Sequence, residues 1–387
     1  MKKTIAVIFG GDSVEHDISI ITGLQTISAI DDKKYEAIPV YLKDGAIYFG
    51  ESLGHIQAFI NFREHKHKKG YFRLGKLYRS IIGLSFPYAK IDCALLCTHG
   101  GEGENGALQG YLAYCRIPFT SPDIFQCSLF MDKAHTKQMA KSMDIACLPW
   151  RVMYKRDFAG DAQKEIKDLL SEFYFPVIVK PCLLGSSIGI GRAEDEQELL
   201  SALELAFMFG EKVIIEPALK DFREINIAVF RGEDNEIILS EPEEPIAGQN
   251  FLSFDDKYMG GGKGMAGSRR ELPAKISKGL KKKIEEYSRL LYDALECKGV
   301  IRIDYLVKEG KIYLNEVNSI PGSLAYYLFS GKDISHSALI SSLIDSAIKT
   351  YGERECSLKQ FRTSVLKNLQ TDCAKGTKLP PSQMLDK

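Results

Sequence analysis

The sequence predicts a mixed α/β and α+β protein in which a parallel sheet is followed by two further units of helices and strands. Two observations lead to this prediction. In residues 1–122, short apolar runs that read as strands alternate with a helical pattern, which is typical of a parallel sheet with crossover helices. Later in the chain, strand pairs and a long helix indicate α+β character. The 387 residues are enough for two or three domains at roughly 150 residues each.

The first unit, residues 1–122, contains three predicted strands. The runs TIAVIF, YEAIPVYL and IDCALLC are rich in apolar residues, as strands buried in a parallel sheet are. A helical pattern over residues 17–30 lies between the first two runs. The basic run HKHKK at 65–69 is predicted to be a solvated surface loop.

Two further units and a tail follow. Residues 123–212 contain the helical pattern MDKAHTKQMAKSM, the strand PVIVKP and the helix EDEQELLSALELAFMF. Residues 213–355 begin with the strand VIIEP and continue to a long helix, SKGLKKKIEEYSRLLYDALEC, and the strand pair GVIRIDYLV and KIYLNEV. Residues 356–387 have too little apolar content to pack, so we predict a tail that is partly disordered.

Composition excludes several classes of partner and location. Lys and Arg balance Asp and Glu at 51 each, so no polyanion such as nucleic acid is expected. The nine cysteines are scattered without a CxxC pair, which fits reduced thiols. MKKTIAVIFGG reads as a first strand and not as a signal peptide, and no apolar run approaches the ~20 residues of a membrane span. We therefore predict a cytoplasmic protein with no membrane partner.

The strand pair 301–307 and 311–317 raises a question of register. A two-residue turn would set Asp304 opposite Asn315 and leave Glu316 on the other face of the sheet. A three-residue loop, EGK, instead pairs Asp304 with Glu316. We predict the three-residue loop, because it places the charged side chains together on one face.

The same register pairs Arg302 with Asn318 and Leu306 with Leu314. Carboxylates directly opposite each other repel unless a cation lies between them, and hard oxygen ligands suit Mg²⁺. Arg302 beside them suits an arriving anion such as a phosphoryl group. The alternative, a solvent-exposed strand face with ordinary salt bridges, stays open from the hairpin alone.

A glycine-rich loop is a candidate phosphate site. The run KPCLLGSSIGIG at 180–191 follows a predicted strand, and its small residues allow successive N–H groups to surround an anion. Lys180 at the strand end would meet the same phosphates. The spacing is not that of a P-loop, and a plain glycine turn remains an alternative.

Three further residues are candidate nucleotide ligands. Lys133, at a predicted helix start, is a second candidate phosphate lysine, and its alternative is a surface residue. Glu216 and Glu224 have side chains able to accept hydrogen bonds from an adenine amine and ribose hydroxyls. Neither glutamate is distinctive by itself.

Taken together, these residues resemble the D-alanine–D-alanine ligase family of ATP-grasp carboxylate-amine ligases over roughly residues 3–350. Seven motifs occur in the family's order: GGDSVEHDIS, THGGEGENGALQG, MDKAHTK, KPCLLGSSIG, DDKY, RID and NEVNSIPGS. The resemblance implies an ATP-grasp fold. It makes 1–122 an N-terminal α/β substrate-binding domain, 123–212 a central lid subdomain and 213–355 the catalytic domain.

The resemblance also implies where ATP and metal ions bind. Two Mg²⁺ ions, or Mn²⁺ in their place, would bridge the ATP phosphates. Their implied ligands are Asp304, Glu316 and Asn318. The implied phosphate ligands are Lys133, Lys180, Ser186 and Ser187.

In the family pattern, the first substrate binds on the other side of the phosphates. Glu15 is implied to bind its ammonium group, aided by His99. Arg302 is implied to stabilise the transferring phosphoryl group. Gly322, after Pro321, would aim a backbone N–H at the reacting carbonyl.

The segment 251–268 corresponds to the family's closing loop. Its Tyr258 would hydrogen-bond Ser186, and Lys257 would face the carboxylate of the second substrate. The chain departs from the family pattern at Tyr327, which stands where a serine usually binds that carboxylate. The identity of the second substrate is therefore open.

The implied activity is an ADP-forming ligase that joins two D-alanine molecules through an acyl phosphate for peptidoglycan precursor synthesis. One alternative is a related ligase that joins D-alanine to a different amine or hydroxy acid. A second is a nucleotide-binding regulatory protein without turnover. A homodimer is expected by family analogy only.

Overall fold

The computed structural model of the chain describes residues 2–246 and 270–356. The predicted closing loop at 251–268 and the tail beyond residue 356 therefore lie outside the described residues. Contacts group the chain into one unit, Met1–Ile348, and a second, Lys349–Lys387. The proposed boundaries at 122 and 212 stay predictions.

The first seven strands form one sheet. These are β1 (Lys3–Gly10), β2 (Tyr35–Lys43), β3 (Ala46–Phe49), β4 (Lys68–Arg73), β5 (Lys76–Ile81), β6 (Leu84–Lys90) and β7 (Cys93–Leu96). Their order is β6-β5-β4-β3-β2-β1-β7. The helices of this region are α1 (His16–Ala29), α2 (Gln57–Ile60), α3 (Gly101–Glu104) and α4 (Ala107–Tyr114), with 3-10 turns at Glu51–Gly54 and Glu64–Lys66.

The predicted parallel core of this sheet is confirmed, and its extent was underestimated. β1 pairs in parallel with β2 and β7, and α1 spans the predicted helical pattern. Four antiparallel strands, β3 to β6, extend the sheet beyond β2. The basic run at 65–69 is not wholly a loop, because Lys68 and Lys69 begin β4.

The second sheet has four antiparallel strands in the order β10-β9-β11-β8. The strands are β8 (Arg151–Tyr154), β9 (Val177–Pro181), β10 (Gly191–Ala193) and β11 (Lys212–Pro217). α7 (Lys155–Gly160), α8 (Ala162–Leu170) and α9 (Glu196–Phe207) belong to this region, whereas α5 (Ile124–Met131) and α6 (Lys133–Ser142), which precede it in the chain, pack against the last strand of the third sheet. The strand VIIEP, assigned to the third unit from the sequence, is β11 and pairs with β9 and β8.

The third sheet carries the predicted hairpin, in the order β13-β12-β16-β17. The strands of this region are β12 (Arg223–Arg231), β13 (Ile237–Leu239), β14 (Glu244–Pro245), β15 (Arg270–Glu271), β16 (Ile301–Lys308) and β17 (Lys311–Asn318). Its helices are α10 (Lys278–Ala294) and α11 (His336–Glu355), with a 3-10 segment at Gly322–Lys332. Among the described residues, no helix is both long and apolar enough to cross a membrane.

The hairpin reaches the predicted pairing by a different route. Asp304 pairs with Glu316, as predicted, but the three-residue loop is wrong. A two-residue turn pairs Lys308 with Lys311, and a bulge beside Asp304 leaves Asn315 as an extra residue in β17. The extra residue compensates for the shorter turn, so the carboxylates still face each other.

The remaining pairs of the hairpin show where the shift lies. Arg302 pairs with Asn318, as predicted. Leu306 pairs with Tyr313, and the predicted pairing of Leu306 with Leu314 is wrong. Between the turn and the bulge, the strands therefore pair in the register of a two-residue turn. Beyond the bulge, at Asp304 and Arg302, they pair in the predicted register.

Candidate active site

One cavity brings together seven of the residues singled out from the sequence. It lies where the β1–α1 loop, the start of α6, the glycine loop and the hairpin of the third sheet meet. The seven are Glu15, His99, Lys133, Arg302, Glu316, Asn318 and Gly322.

Glu15, just before α1, is the acidic group at one end of the cavity. Ser186 donates a hydrogen bond to its carboxylate, so the predicted link between the glycine loop and Glu15 is present. Burial raises the pKa of the Glu15 carboxyl, and the nearby charge of Glu104 raises it further. An ammonium group arriving here would relieve this unfavourable burial of negative charge.

Both ring nitrogens of His99 have hydrogen-bond partners within the fold. Its Nδ1 lies 2.8 Å from the carbonyl oxygen of Ile320, and its Nε2 lies 2.8 Å from Oγ1 of Thr22. Thr22 Oγ1 in turn accepts a hydrogen bond from the N–H of Ser323 at 3.1 Å. Burial lowers the pKa of the imidazole, while Glu15 raises it. The ring therefore holds the segment 320–323 against α1.

Glu104 is a buried acid that the sequence analysis missed. It accepts hydrogen bonds from the N–H groups of Gly100 at 2.9 Å and Ile320 at 3.1 Å, and from Oγ of Ser319 at 3.1 Å. Burial raises its pKa, and these donors oppose the rise. Glu104 lies in the motif THGGEGENGALQG. Nothing in this motif indicates that one of its glutamates contacts the loop after β17.

A lysine cluster lies beside the cavity, next to the hairpin residue Asn315. The carboxylate of Glu216, in β11, is 2.7 Å from Nζ of Lys137 and 2.8 Å from Nζ of Lys180. All three side chains are almost fully buried. Burial alone would raise the pKa of Glu216, but the two lysines lower it to about 2.

This ion-pair cluster is a contact of Glu216 that the sequence analysis did not expect. In the described structure the carboxylate is occupied by lysines, so its first role is to position Lys180. Contact with an adenine amine stays a prediction. Lys137 was missed from the sequence, although it lies one helical turn beyond Lys133 on α6, and that spacing places both lysines on one helix face.

Lys133 joins the glycine loop to the acid pair. Its Nζ donates to the carbonyl oxygen of Leu184 at 2.6 Å and lies 3.6 Å from Oε2 of Glu316. In the loop itself, Ser186 and Ser187 have positive φ angles of 55° and 59°. Small residues in this loop thus adopt left-handed backbone, a turn conformation in which N–H groups can face an anion, and anion binding by the loop stays a prediction.

The acid pair of the third sheet is built around Arg302. The Arg302 guanidinium donates to both oxygens of Asp304, at 2.7 and 2.8 Å, and Asn318 Nδ2 donates to the same carboxylate at 3.0 Å. Lys180 donates to Oδ1 of Asn315, the bulge residue, at 3.3 Å. The bulge therefore connects the lysine cluster to the hairpin.

The donor set of this hairpin fits a magnesium ion. Asp304 and Glu316 are paired across two strands, so both carboxylates lie on one face, and Asn318 adds an amide. These are the hard oxygen donors that Mg²⁺ prefers. Within residues 2–246 and 270–356, no three His, Cys, Asp or Glu side chains form a metal cluster, and the magnesium site stays a prediction.

The remaining predicted residues are Glu224, the pair Lys257 and Tyr258, and Tyr327. Glu224 lies in β12 opposite Leu306, two residues before Asn226, so the two β12 side chains share a face. Lys257 and Tyr258 lie outside the described residues, and their roles stay predictions.

Tyr327 lies apart from the seven cavity residues. Its hydroxyl donates to Oε1 of Glu243 at 3.2 Å, and the guanidinium carbon of Arg270 lies 4.2 Å from the ring centroid. Neither Glu243 nor Arg270 was singled out from the sequence.

A lysine of the second sheet next to a hairpin that carries opposed carboxylates on the third sheet, with a glycine loop beside the same cavity, defines an ATP-grasp protein. The comparisons specify the family. A family model described as "D-ala D-ala ligase N-terminus" matches residues 4–122. A second, described as "D-ala D-ala ligase C-terminus", matches residues 139–345. The chain belongs to the D-alanine–D-alanine ligase family.

Three relatives show how far the similarity extends. A D-alanine–D-alanine ligase of Thermosipho africanus is 37% identical over 368 residues, covering 93% of this chain and 97% of the relative. The VanG D-Ala:D-Ser ligase of Enterococcus faecalis has a TM-score of 0.75 at 27% identity, covering 90% and 100%. The D-alanine–D-alanine ligase of Bacillus anthracis complexed with ATP has a TM-score of 0.65 at 26% identity, covering 91% and 99%.

Proposed function

We propose that the protein is an ATP-dependent, ADP-forming ligase that joins two D-alanine molecules for peptidoglycan precursor synthesis. One observation carries the proposal: a single cavity is lined by Glu15, Lys133 and Arg302 together with Glu316 of the acid pair, and the lysine cluster contacts the same hairpin through Lys180. An amino acid and a triphosphate can therefore meet there with each charge opposite its complement.

The reaction follows from the poor reactivity of a carboxylate. An amine does not displace oxide from a carboxylate, so the first D-alanine must be activated. Its carboxylate oxygen attacks the γ-phosphorus of ATP, and ADP leaves. The amino group of the second D-alanine then attacks the acyl carbon, phosphate leaves, and the surplus proton passes to solvent. The enzyme's main task is to neutralise and orient these charges.

The lysine end would bind the phosphates. Lys133 and Lys180 project toward the glycine loop and the hairpin, and Ser186 and Ser187 supply N–H groups. Glu216, 2.8 Å from Nζ of Lys180, holds that lysine in place. Glu216 and Glu224 would also contact the adenine amine and the ribose hydroxyls.

Asp304, Glu316 and Asn318 would hold two Mg²⁺ ions, and Mn²⁺ could replace them. When bound, the ions would neutralise the phosphate charge as Lewis acids. Arg302, now bound to Asp304, would stabilise the transferring phosphoryl group. Before ATP arrives, the positive charge of Lys133 offsets the negative charge of Glu316 beside it.

The first D-alanine would bind at the acidic end. The Glu15 carboxylate would accept hydrogen bonds from the ammonium group of this D-alanine. Ser186, which donates to the carboxylate, would fix its orientation. His99 would act through the 320–323 segment, which places Gly322 at the cavity. The N–H of Gly322 would donate to the reacting carbonyl. Lys257 and Tyr258 would close the site over the substrates and exclude water from the acyl phosphate.

The test is incubation with ATP, Mg²⁺ and D-alanine alone, with phosphate release and the dipeptide measured together. Stoichiometric ADP, phosphate and D-alanyl-D-alanine are expected. If neither phosphate nor dipeptide forms with D-alanine alone, the proposal is wrong.

A related ligase with a different acceptor is the second candidate, and Tyr327 favours it because a phenol differs strongly in size from a serine hydroxyl. Phosphate release that requires D-alanine plus a second amine or hydroxy acid would identify it. ATP binding without phosphate release over a broad panel of amino acids would instead indicate a regulatory protein.

We further propose a cytoplasmic location and a homodimer, by analogy with the family. Light scattering on the purified protein measures the oligomeric state directly. A monomer at micromolar concentration would contradict the dimer without affecting the proposed chemistry.

A further inference from the structure

One buried carboxylate holds the start of α6. Asp132 is 8% exposed and immediately precedes the helix. Its Oδ1 accepts hydrogen bonds from the N–H groups of Ala134 at 3.0 Å and His135 at 3.1 Å, as the oxygen of an N-cap residue does. The cap fixes the first helical turn. That turn carries Lys133, the lysine that lines the cavity.

The other oxygen of this carboxylate makes a contact that capping does not require. Asp132 Oδ2 lies 2.7 Å from Nζ of Lys212, the first residue of β11, and 2.9 Å from Nδ1 of His135. The side chains of Asp132 and Lys212 are 11% and 12% exposed, so solvent and salt screen this ion pair less than a surface pair. Burial would raise the pKa of Asp132, but the hydrogen bonds from Lys212 and from the N–H of His135 lower it.

The main chain joins the same two elements to the glycine loop. The N–H of Lys133 donates to the carbonyl oxygen of Cys182 at 3.1 Å, and the N–H of Cys182 donates to the carbonyl oxygen of Lys212 at 3.0 Å. Cys182 directly follows β9, in the run that forms the glycine loop. The starts of α6, of the glycine loop and of β11 therefore meet at one point. We call this point the α6 joint, and it consists of Asp132, Lys133, Cys182 and Lys212.

The α6 joint connects elements of two different sheets. α6 packs against β17 of the third sheet, whereas β9 and β11 belong to the second. Lys133 reaches across this boundary, because its Nζ donates to the carbonyl oxygen of Leu184 in the glycine loop and lies 3.6 Å from Glu316 of β17. The position of this ammonium group relative to the loop therefore depends on how the second sheet is held against α6.

A cap and a joint differ in how the two charged residues depend on each other. An N-cap requires a side-chain oxygen, and asparagine or serine supplies one as well as aspartate does. If Asp132 acts only as a cap, its effect on the site is independent of Lys212. If the ion pair holds the second sheet in place, the two residues act as a unit, and removing either one has the same consequence.

We propose that Asp132 and Lys212 are a pair of positioning residues for nucleotide binding. Their ion pair holds the glycine loop against the start of α6, so that Lys133 and the N–H groups of the loop face the same phosphates. In the described part of the chain, neither side chain lines the cavity, so the pair acts through Lys133 and the loop. The proposal rests on the phosphate site of the proposed function and adds the contact that sets the geometry of that site.

The test is isothermal titration calorimetry of the full chain with a non-hydrolysable ATP analogue and Mg²⁺, which requires no turnover. Asp132→Asn keeps a capping oxygen and removes the negative charge, whereas Lys212→Met removes the positive charge and keeps the cap. Each variant should raise Kd for the analogue by roughly 3- to 30-fold. Lys212→Arg can pair with Asp132 again and should bind the analogue more tightly than Lys212→Met.

The double variant separates the ion pair from the cap. Because both single changes remove the same interaction, Asp132→Asn combined with Lys212→Met should bind the analogue no more weakly than either single variant. Fold-changes that multiply would show that the two side chains act independently, and would overturn the proposal. Wild-type affinity in both single variants would overturn it as well. If circular dichroism shows that Lys212→Met does not fold, Asp132→Asn and Asp132→Ser, which both keep a capping oxygen, carry the test.

A matched control makes the same changes in an exposed ion pair of the same region. Lys164→Met and Asp168→Asn remove the pair at 3.1 Å in α8 and should leave Kd for the analogue unchanged. In the ligase assay, the variants of Asp132 and Lys212 should raise KM for ATP by the same factor as Kd and leave KM for D-alanine unchanged. An equal rise in all KM values would mean a general loss of structure and would contradict the positioning role.

Calorimetry also separates this proposal from the ligase function. If D-alanine supports no phosphate release but the variants of Asp132 and Lys212 bind the analogue more weakly, the ligase proposal fails while the positioning role stands. If the wild-type chain binds no ATP analogue, both proposals fail.

Discussion

The lysine cluster beside the cavity, called the lysine end below, and the acidic end of the cavity at Glu15 bury charge in opposite ways. At the lysine end, the Glu216 carboxylate lies between Lys137 and Lys180, and its pKa falls to about 2. At the acidic end, Glu15 and Glu104 lie near each other, and burial raises the pKa of both. One end therefore has surplus positive charge and the other surplus negative charge. A cavity polarised in this way is suited to holding a triphosphate at one end and an ammonium group at the other.

The largest expected effect is at Glu316, where the two ends meet. Glu316→Gln keeps the size of the side chain and removes one carboxylate from the proposed metal site. Turnover should fall by roughly 10³-fold or more, because several kcal/mol of charge neutralisation is lost. Phosphate release measures the effect. The exposed Glu286→Gln is the control, and normal turnover in Glu316→Gln would contradict the metal assignment.

The hairpin shows which part of this site could be predicted. Opposing carboxylates at 304 and 316 followed from their charges and from the need for a shared face, and that pairing is confirmed. The turn was wrong because a bulge can replace a loop residue without changing the pairing above it. Sequence spacing alone cannot distinguish these two solutions.

The buried partners could be predicted less well. The lysine cluster depends on β11 lying beside β9, which brings Glu216 to Lys180. Glu104 depends on a contact with Ile320, 216 residues away. Local patterns predicted the helices α1, α6, α9 and α10 and the strands β1, β2, β7, β9, β11, β16 and β17, because those follow periodicity. Ion pairs between distant segments depend on packing.

The lysine end can be tested through its pH dependence. The pKa of Glu216 falls from 4.5 to about 2 on folding, so its ionised form stabilises the fold. This contribution, about 3 kcal/mol, is fully present above pH 4.5 and is lost as the pH falls toward 2. Urea unfolding of wild type and Glu216→Gln should therefore differ at pH 7 and converge as the pH falls to about 2. A constant difference would show that Glu216 acts through packing.

The acidic end should respond through substrate affinity. Glu15→Gln removes the charge that faces the ammonium group, so KM for the first D-alanine should rise by about 10- to 100-fold, the value of a hydrogen bond to a charged group. KM for ATP should stay within a factor of about two. Glu102→Gln, at an exposed position of α3, is the control. An equal rise in both KM values would mean that the ends are not independent.

The smallest expected effect is at Asn315, the bulge residue of β17. Its side chain contacts Lys180 of the lysine end. Asn315→Ala removes the contact between Oδ1 and Lys180 but leaves the backbone pairing of Asp304 with Glu316. The loss of one hydrogen bond, about 0.5–1.5 kcal/mol, should raise KM for ATP by about 2- to 10-fold. Turnover at saturating ATP should change little, because both carboxylates still face each other. A loss of turnover comparable to that of Glu316→Gln would show that Asn315 fixes the register of β17, and that the bulge belongs to the metal site and not to the lysine end.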